Sequence, residues 1–238
     1  MKKFIYILSI FSFITLTSCD KTSEDPSKIT YFVTFEMNGD ATTLVPIGTT
    51  FTDPGVKAME GETDVTSSVT IKGSVNPNEI GLYTLSYSVS NVDGFSSAVE
   101  RTVIVYNPDI ETDISGNYTV AEGSYRLWMS SGAKVAFAGY PVNIIKIASG
   151  VFSVSDFFGG YYDKRAAYGA NYAMTGYIKI NEDNTIDELS SFIKGWSDYT
   201  SLNSLDNAVY DPETNSISFE SDYNGGANHM IFFITLTK

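Results

Sequence analysis

The chain has one cysteine, Cys19, and one histidine, His229, among 238 residues. A single thiol excludes any disulfide within the chain, so the fold must be held by its apolar cores. A single imidazole excludes a metal centre built on paired histidines. The sequence contains no H-E-x-x-H, no G-x-S-x-G, no phosphate-cradling G-x-x-x-x-G-K and no D-x-[DN]-x-[DN]-G calcium loop. It therefore carries no motif for a metal or an organic cofactor, and none is expected. No apolar run reaches the roughly 20 residues that span a bilayer. No internal repeat and no helical period of useful length are present either. Positive charge is short, with 15 Lys and Arg against 28 Asp and Glu and a net charge of −13. A surface this acidic repels phosphate backbones, which argues against nucleic acid as a partner.

What is present begins at the N-terminus. MKKFIYILSIFSFITLTSCD opens with two lysines, continues through an apolar run from Phe4 to Leu16, and ends in small residues before Cys19. A basic start, a short apolar core and a small-residue exit make a secretory signal. Leu16-Thr17-Ser18-Cys19 resembles the bacterial lipobox, and that resemblance implies a signal peptide over 1–18 with Cys19 as the lipid-attachment residue. A lone cysteine in a secreted chain needs a purpose, and acylation supplies one. Loss of 1–18 removes Lys2 and Lys3 and takes the net charge from −13 to −15. Membrane attachment would then come from the lipid, at about 0.8 kcal/mol per buried CH₂. Residues 19–29 read as a polar, flexible tether. Asp20, Glu24 and Asp25 there partly resemble the surface-export signals of Bacteroidota lipoproteins, interrupted by Lys21, Thr22 and Ser23.

Two β-patterned segments follow, 30–107 and 114–238, joined by a proline-containing acidic linker at 108–113. In the first, YFVTFE runs into Asn38-Gly39, a strong short hairpin signal. LYTLSYSVS separates Tyr83, Leu85, Tyr87 and Val89 from Leu82, Thr84, Ser86 and Ser88 at period two, as half-buried strands do. The turn NVDGF joins it to VERTVIVY. Short strands over this length suit a small Ig-like β-sandwich. The segment also resembles the bacterial Ig-like modules of surface proteins. Phe51, Asp53, Pro54, Gly55, Val56 and Ala58 match their F-x-D-P-G-V-x-A opening. Gly81, Tyr83, Leu85 and Tyr87 match the G-x-Y-x-L-x-Y strand, and Arg101, Thr102, Val103 and Val105 match the R-T-V-x-V close. The resemblance implies a spacer or adhesion element in which these residues are structural. Glu60-Gly61-Glu62 departs from the paired acidic turn usual in those modules, and no metal is inferred from it.

The second segment reads as eight or nine antiparallel strands. The turns fall at Gly123-Ser124, Gly150, Glu182-Asp183-Asn184 and Asp211-Pro212-Glu213-Thr214-Asn215. An all-β antiparallel meander is expected, either a closed, lipocalin-like barrel or a sandwich. The acidic turns are ordinary hairpin chemistry. Between two strands lies DFFGGYYDKRAAYGANYAMTGY, residues 156–177, with seven aromatic residues and four glycines among 22. A connection of this length inside a compact domain is often functional. Tyrosines and tryptophans offer flat apolar faces with polar tips, which suits sugars. The ligand-binding candidates are Tyr161, Tyr162, Tyr168, Trp196 and Tyr199, whereas Phe157 and Phe158 are expected in the core. Asp156, Asp163 and Asp198 lie near these rings and would be the carboxylates of a glycosidase, if two of them approached each other.

SDFFGGYYD, YGANYAMTGYI, DNTIDELSS, Trp196 and the terminal ITLTK resemble a domain of Bacteroidota lipoproteins without assigned catalytic residues. That resemblance implies an outer-membrane setting beside polysaccharide importers. The expected function is a lipid-anchored, non-catalytic surface protein that binds glycan as an accessory to outer-membrane uptake. Its partners would be the membrane, through the N-terminal lipid, a glycan, and an importer complex. Two alternatives are a structural or adhesion lipoprotein facing a protein partner and a small carboxylate-dependent glycoside hydrolase.

Overall fold

The alternation in LYTLSYSVS becomes β6 (Gly81–Ser90), in which Leu85, Tyr87 and Val89 are buried while Thr84 and Ser90 face solvent. It pairs along its full length with β7 (Ser96–Tyr106) across the Asn91–Phe95 turn. This computed structural model describes residues 29–226 and 228–238. The expected signal peptide, most of the expected tether and Cys19 therefore lie outside the described residues. Phe32–Lys238 forms one compact unit, and no helix among the described residues is long and apolar enough to cross a membrane.

The first half is two facing sheets. One runs β1 (Val33–Met37), β3 (Val56–Glu60), β4 (Thr63–Asp64); the other runs β2 (Thr42–Pro46), β7, β6, β5 (Thr70–Lys72). Asn38-Gly39 does not close a hairpin, as the sequence suggests. β1 pairs with β3, and β2 pairs in parallel with β7 in the other sheet, so the turn carries the chain between sheets. The reason is Arg101, which is 0% exposed. Its guanidinium donates to the carbonyls of Asn38 (2.7 Å), Asp40 (2.6 Å) and Gly55 (3.0 Å). Three long-range bonds to main chain outweigh the local preference for a two-residue hairpin. Asp53 completes the arrangement. Its Oδ1 accepts from Tyr87 Oη (2.6 Å) and from the Gly55 N–H (3.0 Å), and lies 3.4 Å from Arg101 Nε. Asp53, Gly55, Tyr87 and Arg101, all residues of the Ig-like motifs, thus form one polar knot.

The second half is a ten-stranded antiparallel sheet. Its strands are β8 (Gly116–Val120), β9 (Tyr125–Trp128), β10 (Ala133–Ala136), β11 (Pro141–Ala148), β12 (Val151–Val154), β13 (Thr175–Ile180), β14 (Ile186–Phe192), β15 (Ser204–Asp211), β16 (Ser216–Gly225) and β17 (Asn228–Thr237). The turns at Gly150, 182–184 and 211–215 make hairpins. The order is not a simple meander: β8 pairs with β11 and β17, and the β9–β10 hairpin is added beyond β17. Among the described residues the sheet is no closed barrel but curls into a sandwich-like shape. Its ends meet only at an isolated bridge, Thr185–Val209. The gap lies between β14, which pairs only with β13, and β15, which pairs only with β16, while β17 runs through the middle with every second residue from Met230 to Leu236 buried.

The core of this half is aromatic, built around Phe152, Phe157, Phe158 and Phe232, none more than 1% exposed. Ile110 and Ile114, at either end of the acidic connection, join the same cluster. Tyr118 Oη donates to the Ile114 carbonyl at 2.8 Å. A further buried cluster, Ile104 with Ala148 and Val151, includes Leu82 and Leu189 at its margin and spans strands of both halves.

Candidate functional site

The glycine- and tyrosine-rich connection begins at Asp156, whose side chain is enclosed, leaving the residue 4% exposed. Its Oδ1 accepts from the N–H groups of Phe158 (2.9 Å) and Met174 (3.0 Å), and its Oδ2 from that of Gly160 (2.9 Å). One carboxyl group thus ties the start of the segment to its end and turns a long loop into a fixed element. Gly159 and Gly160 follow with φ of 59° and 77°, a left-handed pair that L side chains adopt only at a cost. A Cβ at Gly159 would also press on Val120, Phe137 and Ile234. The chain then makes a single π-helical turn, Tyr161–Arg165, and later a 3₁₀ turn, Ala170–Tyr172. The glycine-rich connection is therefore built from short helical turns, with Phe157 and Phe158 in the core as anticipated.

The five candidate rings divide. Tyr161 is 5% exposed and packs edge-on against Phe137 at 5.2 Å; it belongs to the core and does not line a cavity. The reason is local: the turn begun at Gly160 directs the first tyrosine inward. Tyr162, 8% exposed, donates to Met230 Sδ at 3.1 Å and meets Trp196 edge-on at 4.9 Å. Burial, opposed by the nearby Arg126 guanidinium, pushes its hydroxyl pKa up to about 12. It is therefore a neutral hydrogen-bonding group at any physiological pH. Tyr168 stacks over Tyr162 at 6.0 Å and is 57% exposed. Trp196 stacks on Tyr223 at 5.6 Å and contacts Tyr172 edge-on at 5.3 Å. Its position depends on Gly195, whose backbone lies so close to the Tyr172 ring that a side chain there would collide with it. Tyr199, with φ of 55°, is 54% exposed.

Tyr162, Tyr168, Trp196 and Tyr199 line one open cavity of about 470 Å³. They come from the π-turn, the segment after it and the β14–β15 connection. The strands supply the remaining wall: Arg126 and Trp128 from β9, Tyr223 from β16, and Asn228 and Met230 from β17. Sequence reasoning missed these five. The usable signal was YRLWMS, where Arg126 and Trp128 sit two apart and so share one face of a strand. Tyr223, Asn228 and Met230 carry no such signal, because only the packing of β16 and β17 brings them to the same place.

Of the three carboxylates near the rings only Asp198 lines the cavity; Asp163 is near enough to Asp156 for its charge to help raise the Asp156 pKa. Asp156 is consumed by backbone N–H groups, and Asp163 pairs with Lys164 at 2.8 Å. Asp198 lines the cavity and accepts from Ser197 Oγ at 2.7 Å. His229 Nε2 is bound to Asp222 at 2.9 and 3.1 Å. Among the described residues no group of three or more His, Cys, Asp and Glu could hold a metal ion.

Residues 107–238 match a family model for a C-terminal domain, and residues 35–105 match the bacterial surface protein, Ig-like domain. Among solved structures, the lipoprotein BT2262 from Bacteroides thetaiotaomicron is 41% identical. The match covers 87% of this chain and 100% of that one, with a TM-score of 0.48. A second, CBM51-2 in complex with GlcNAc and INT domains from Clostridium perfringens ZmpB, is 19% identical. It covers 52% of this chain and 29% of that one with a TM-score of 0.27, an overlap that carries no argument. No curated protein matches the sequence.

Proposed function

Because the chain belongs to the family of the Bacteroides thetaiotaomicron lipoprotein BT2262, we propose that it is a non-catalytic surface lipoprotein whose distal β domain binds glycan. In this reading residues 1–18 are the signal peptide and Cys19 carries the lipid that holds the protein in the outer membrane. The tether covers 19–29, the Ig-like module 30–107 acts as spacer, 108–113 is the joint, and 114–238 is the binding domain. What supports an accessory role beside an outer-membrane importer is the family resemblance.

The observation that carries the glycan reading is the convergence of Tyr162, Tyr168, Trp196 and Tyr199 on one open cavity. Ring faces stack on the C–H faces of sugars, and Asp198 and Asn228 in the same cavity are polar partners for hydroxyls. Two of the rings, Tyr168 and Tyr199, are more than half exposed, so packing alone does not account for them. Glycosidic hydrolysis uses two carboxyl groups roughly 5 to 9.5 Å apart. Asp198 is the one carboxylate among the described residues lining this cavity, which favours binding over turnover.

A glycan array probed with the full chain in detergent tests the binding. Tyr168→Ala and Tyr199→Ala should each weaken capture severalfold, taking about 1 kcal/mol per stacked ring as the scale. Their melting temperatures should stay within about 2 °C of the parent, as befits exposed side chains. Loss of melting temperature with unchanged capture would return the rings to a packing role. For the anchor, Cys19→Ala should abolish fatty-acid labelling and release the protein from membranes. A labelled, membrane-bound variant would overturn the lipid assignment.

A further inference from the structure

We propose that the sugar seated in this cavity carries an anion, a uronate carboxylate or a sulfate ester, and that Arg126 is the residue that engages it. The inference rests on the glycan-binding reading and adds the class of glycan.

Arg126 is a cation in the wall of a cavity belonging to a chain of net charge −13. Unlike Arg101, which faces Asp53, it has no carboxylate among the described residues within ion-pair distance. The polar group beside it is the hydroxyl of Tyr162, which is neutral. Its guanidinium is held chiefly by rings, 4.9 Å from the Tyr161 centroid and 5.2 Å from that of Trp128. Stacking on aromatic faces fixes the plane of the fork without consuming its N–H groups. The fork therefore stays available for two parallel bonds to a carboxylate or sulfate.

A second observation points the same way. Arg126 Nε and Trp128 Nε1 are buried and have no acceptor among the described residues. Buried donors are nearly always satisfied, so each exception calls for an explanation. These two sit at alternate positions of β9, on the face that meets the cavity. An oxyanion seated there would supply the acceptor that both donors lack. Arg165, over the Tyr161 ring at 5.0 Å, adds positive charge to the same aromatic support. Asp198 in the cavity and Asp163 within the π-turn bring negative charge. Asp163 is neutralised by Lys164. Asp198, a carboxylate that accepts from Ser197 Oγ, suits a sugar hydroxyl better than an anion. The cavity thus offers an anion partner and a hydroxyl partner for one sugar.

The test compares immobilised polygalacturonate, chondroitin sulfate and a neutral galactan, with the full chain in detergent. The acidic polymers should be bound at least about tenfold more tightly than the neutral one, the scale of one charge-assisted bond. Raising salt from about 0.05 to 0.5 M should shrink that preference by screening. Arg126→Gln should bring the acidic polymers down to whatever affinity the variant keeps for the neutral one, and Arg126→Lys should restore part of the preference. A melting curve for each variant separates lost recognition from lost fold. If Arg126→Gln does not fold, the preference of the parent protein still decides. Retention of polygalacturonate alone would assign the carboxylate, and of chondroitin sulfate alone the sulfate ester. Equal affinity for acidic and neutral polymers, or an undiminished preference in folded Arg126→Gln, would overturn the inference and leave glycan binding standing. Capture of none of the three, with no other glycan bound on the array, would overturn both.

Discussion

Arg101→Met should lower the stability of this protein by about 3 to 5 kcal/mol, the cost of breaking a buried, fully bonded charge network. The substitution removes the donors that hold the carbonyls of Asn38, Asp40 and Gly55, and the cation facing Asp53. Three carbonyls then lose a partner while the Asp53 carboxylate keeps its charge beside Tyr87. The methionine fills most of the volume, so cavity formation contributes little and the loss is chiefly electrostatic. For a chain of this size the melting temperature should fall by roughly 10 °C. Tyr87→Phe, which removes one donor to Asp53 and one acceptor for Arg101 Nε, should cost about 1 to 2 kcal/mol. Chemical denaturation of both variants measures the two values. A drop below about 1 kcal/mol for Arg101→Met would mean that the network is dispensable and that the turn at Asn38-Gly39 holds its course by other means.

The second large effect is expected at Asp156. Alanine there strands the N–H groups of Phe158, Gly160 and Met174, each unsatisfied buried donor costing on the order of 1 kcal/mol or more. The segment carrying Tyr162 and Tyr168 loses its anchor at both ends, so glycan capture should fall along with stability. Asp156→Asn separates charge from geometry. Burial pushes the Asp156 pKa up from 3.8 to about 6, against the pull of the three N–H donors. The folded protein therefore holds a proton on this group in a window where the unfolded chain has released it. Its stabilising contribution is complete below about pH 3.8 and is lost as pH rises through about 6, a span on the order of 3 kcal/mol. The amide introduced by Asp156→Asn cannot ionise. The stability difference between parent and variant should therefore drift in favour of the variant over that window and be level above it. Asp113, Asp183 and Asp211, whose pKa values are lowered by hydrogen bonds to neighbouring residues, titrate in both proteins and cancel from the comparison. Urea denaturation from pH 4 to 7 reads the drift, and parallel pH profiles would show that Asp156 does not titrate in that range.

Much was legible in sequence because it is local. Period two in LYTLSYSVS set which face of β6 is buried. The turns NVDGF, NEDN and DPETN set three hairpins, because Asp, Asn and Gly accept the backbone angles such turns require. The Ig-like motif marked Asp53, Gly55, Tyr87 and Arg101 as structural, and they meet in one network. The identification of Phe157 and Phe158 as core followed from their size and position beside a strand end. These readings needed only a residue and its near neighbours.

The order of strands and the membership of the cavity needed more. Asn38-Gly39 reads as a hairpin on its own and is overruled by an arginine 61 to 63 positions away. Tyr161 and Tyr162 are alike and adjacent, yet one is enclosed in the core and the other reaches the cavity, because a turn starting at a left-handed glycine aims them differently. Trp196 could be singled out from sequence, but its neighbour Tyr223 could not, since β16 reaches it only through pairing that spans the whole domain. Arg126 was marked in sequence only by its place two before Trp128 on one strand face; that its guanidinium lies against the rings of Tyr161 and Trp128 is a property of the surroundings. The sequence alone therefore determined the fold class and the stretches rich in aromatic surface. Tertiary structure decided which of those rings share a cavity and what charge faces them, because strand alternation and turn chemistry act over a few residues whereas burial and pairing are settled between residues far apart in the chain.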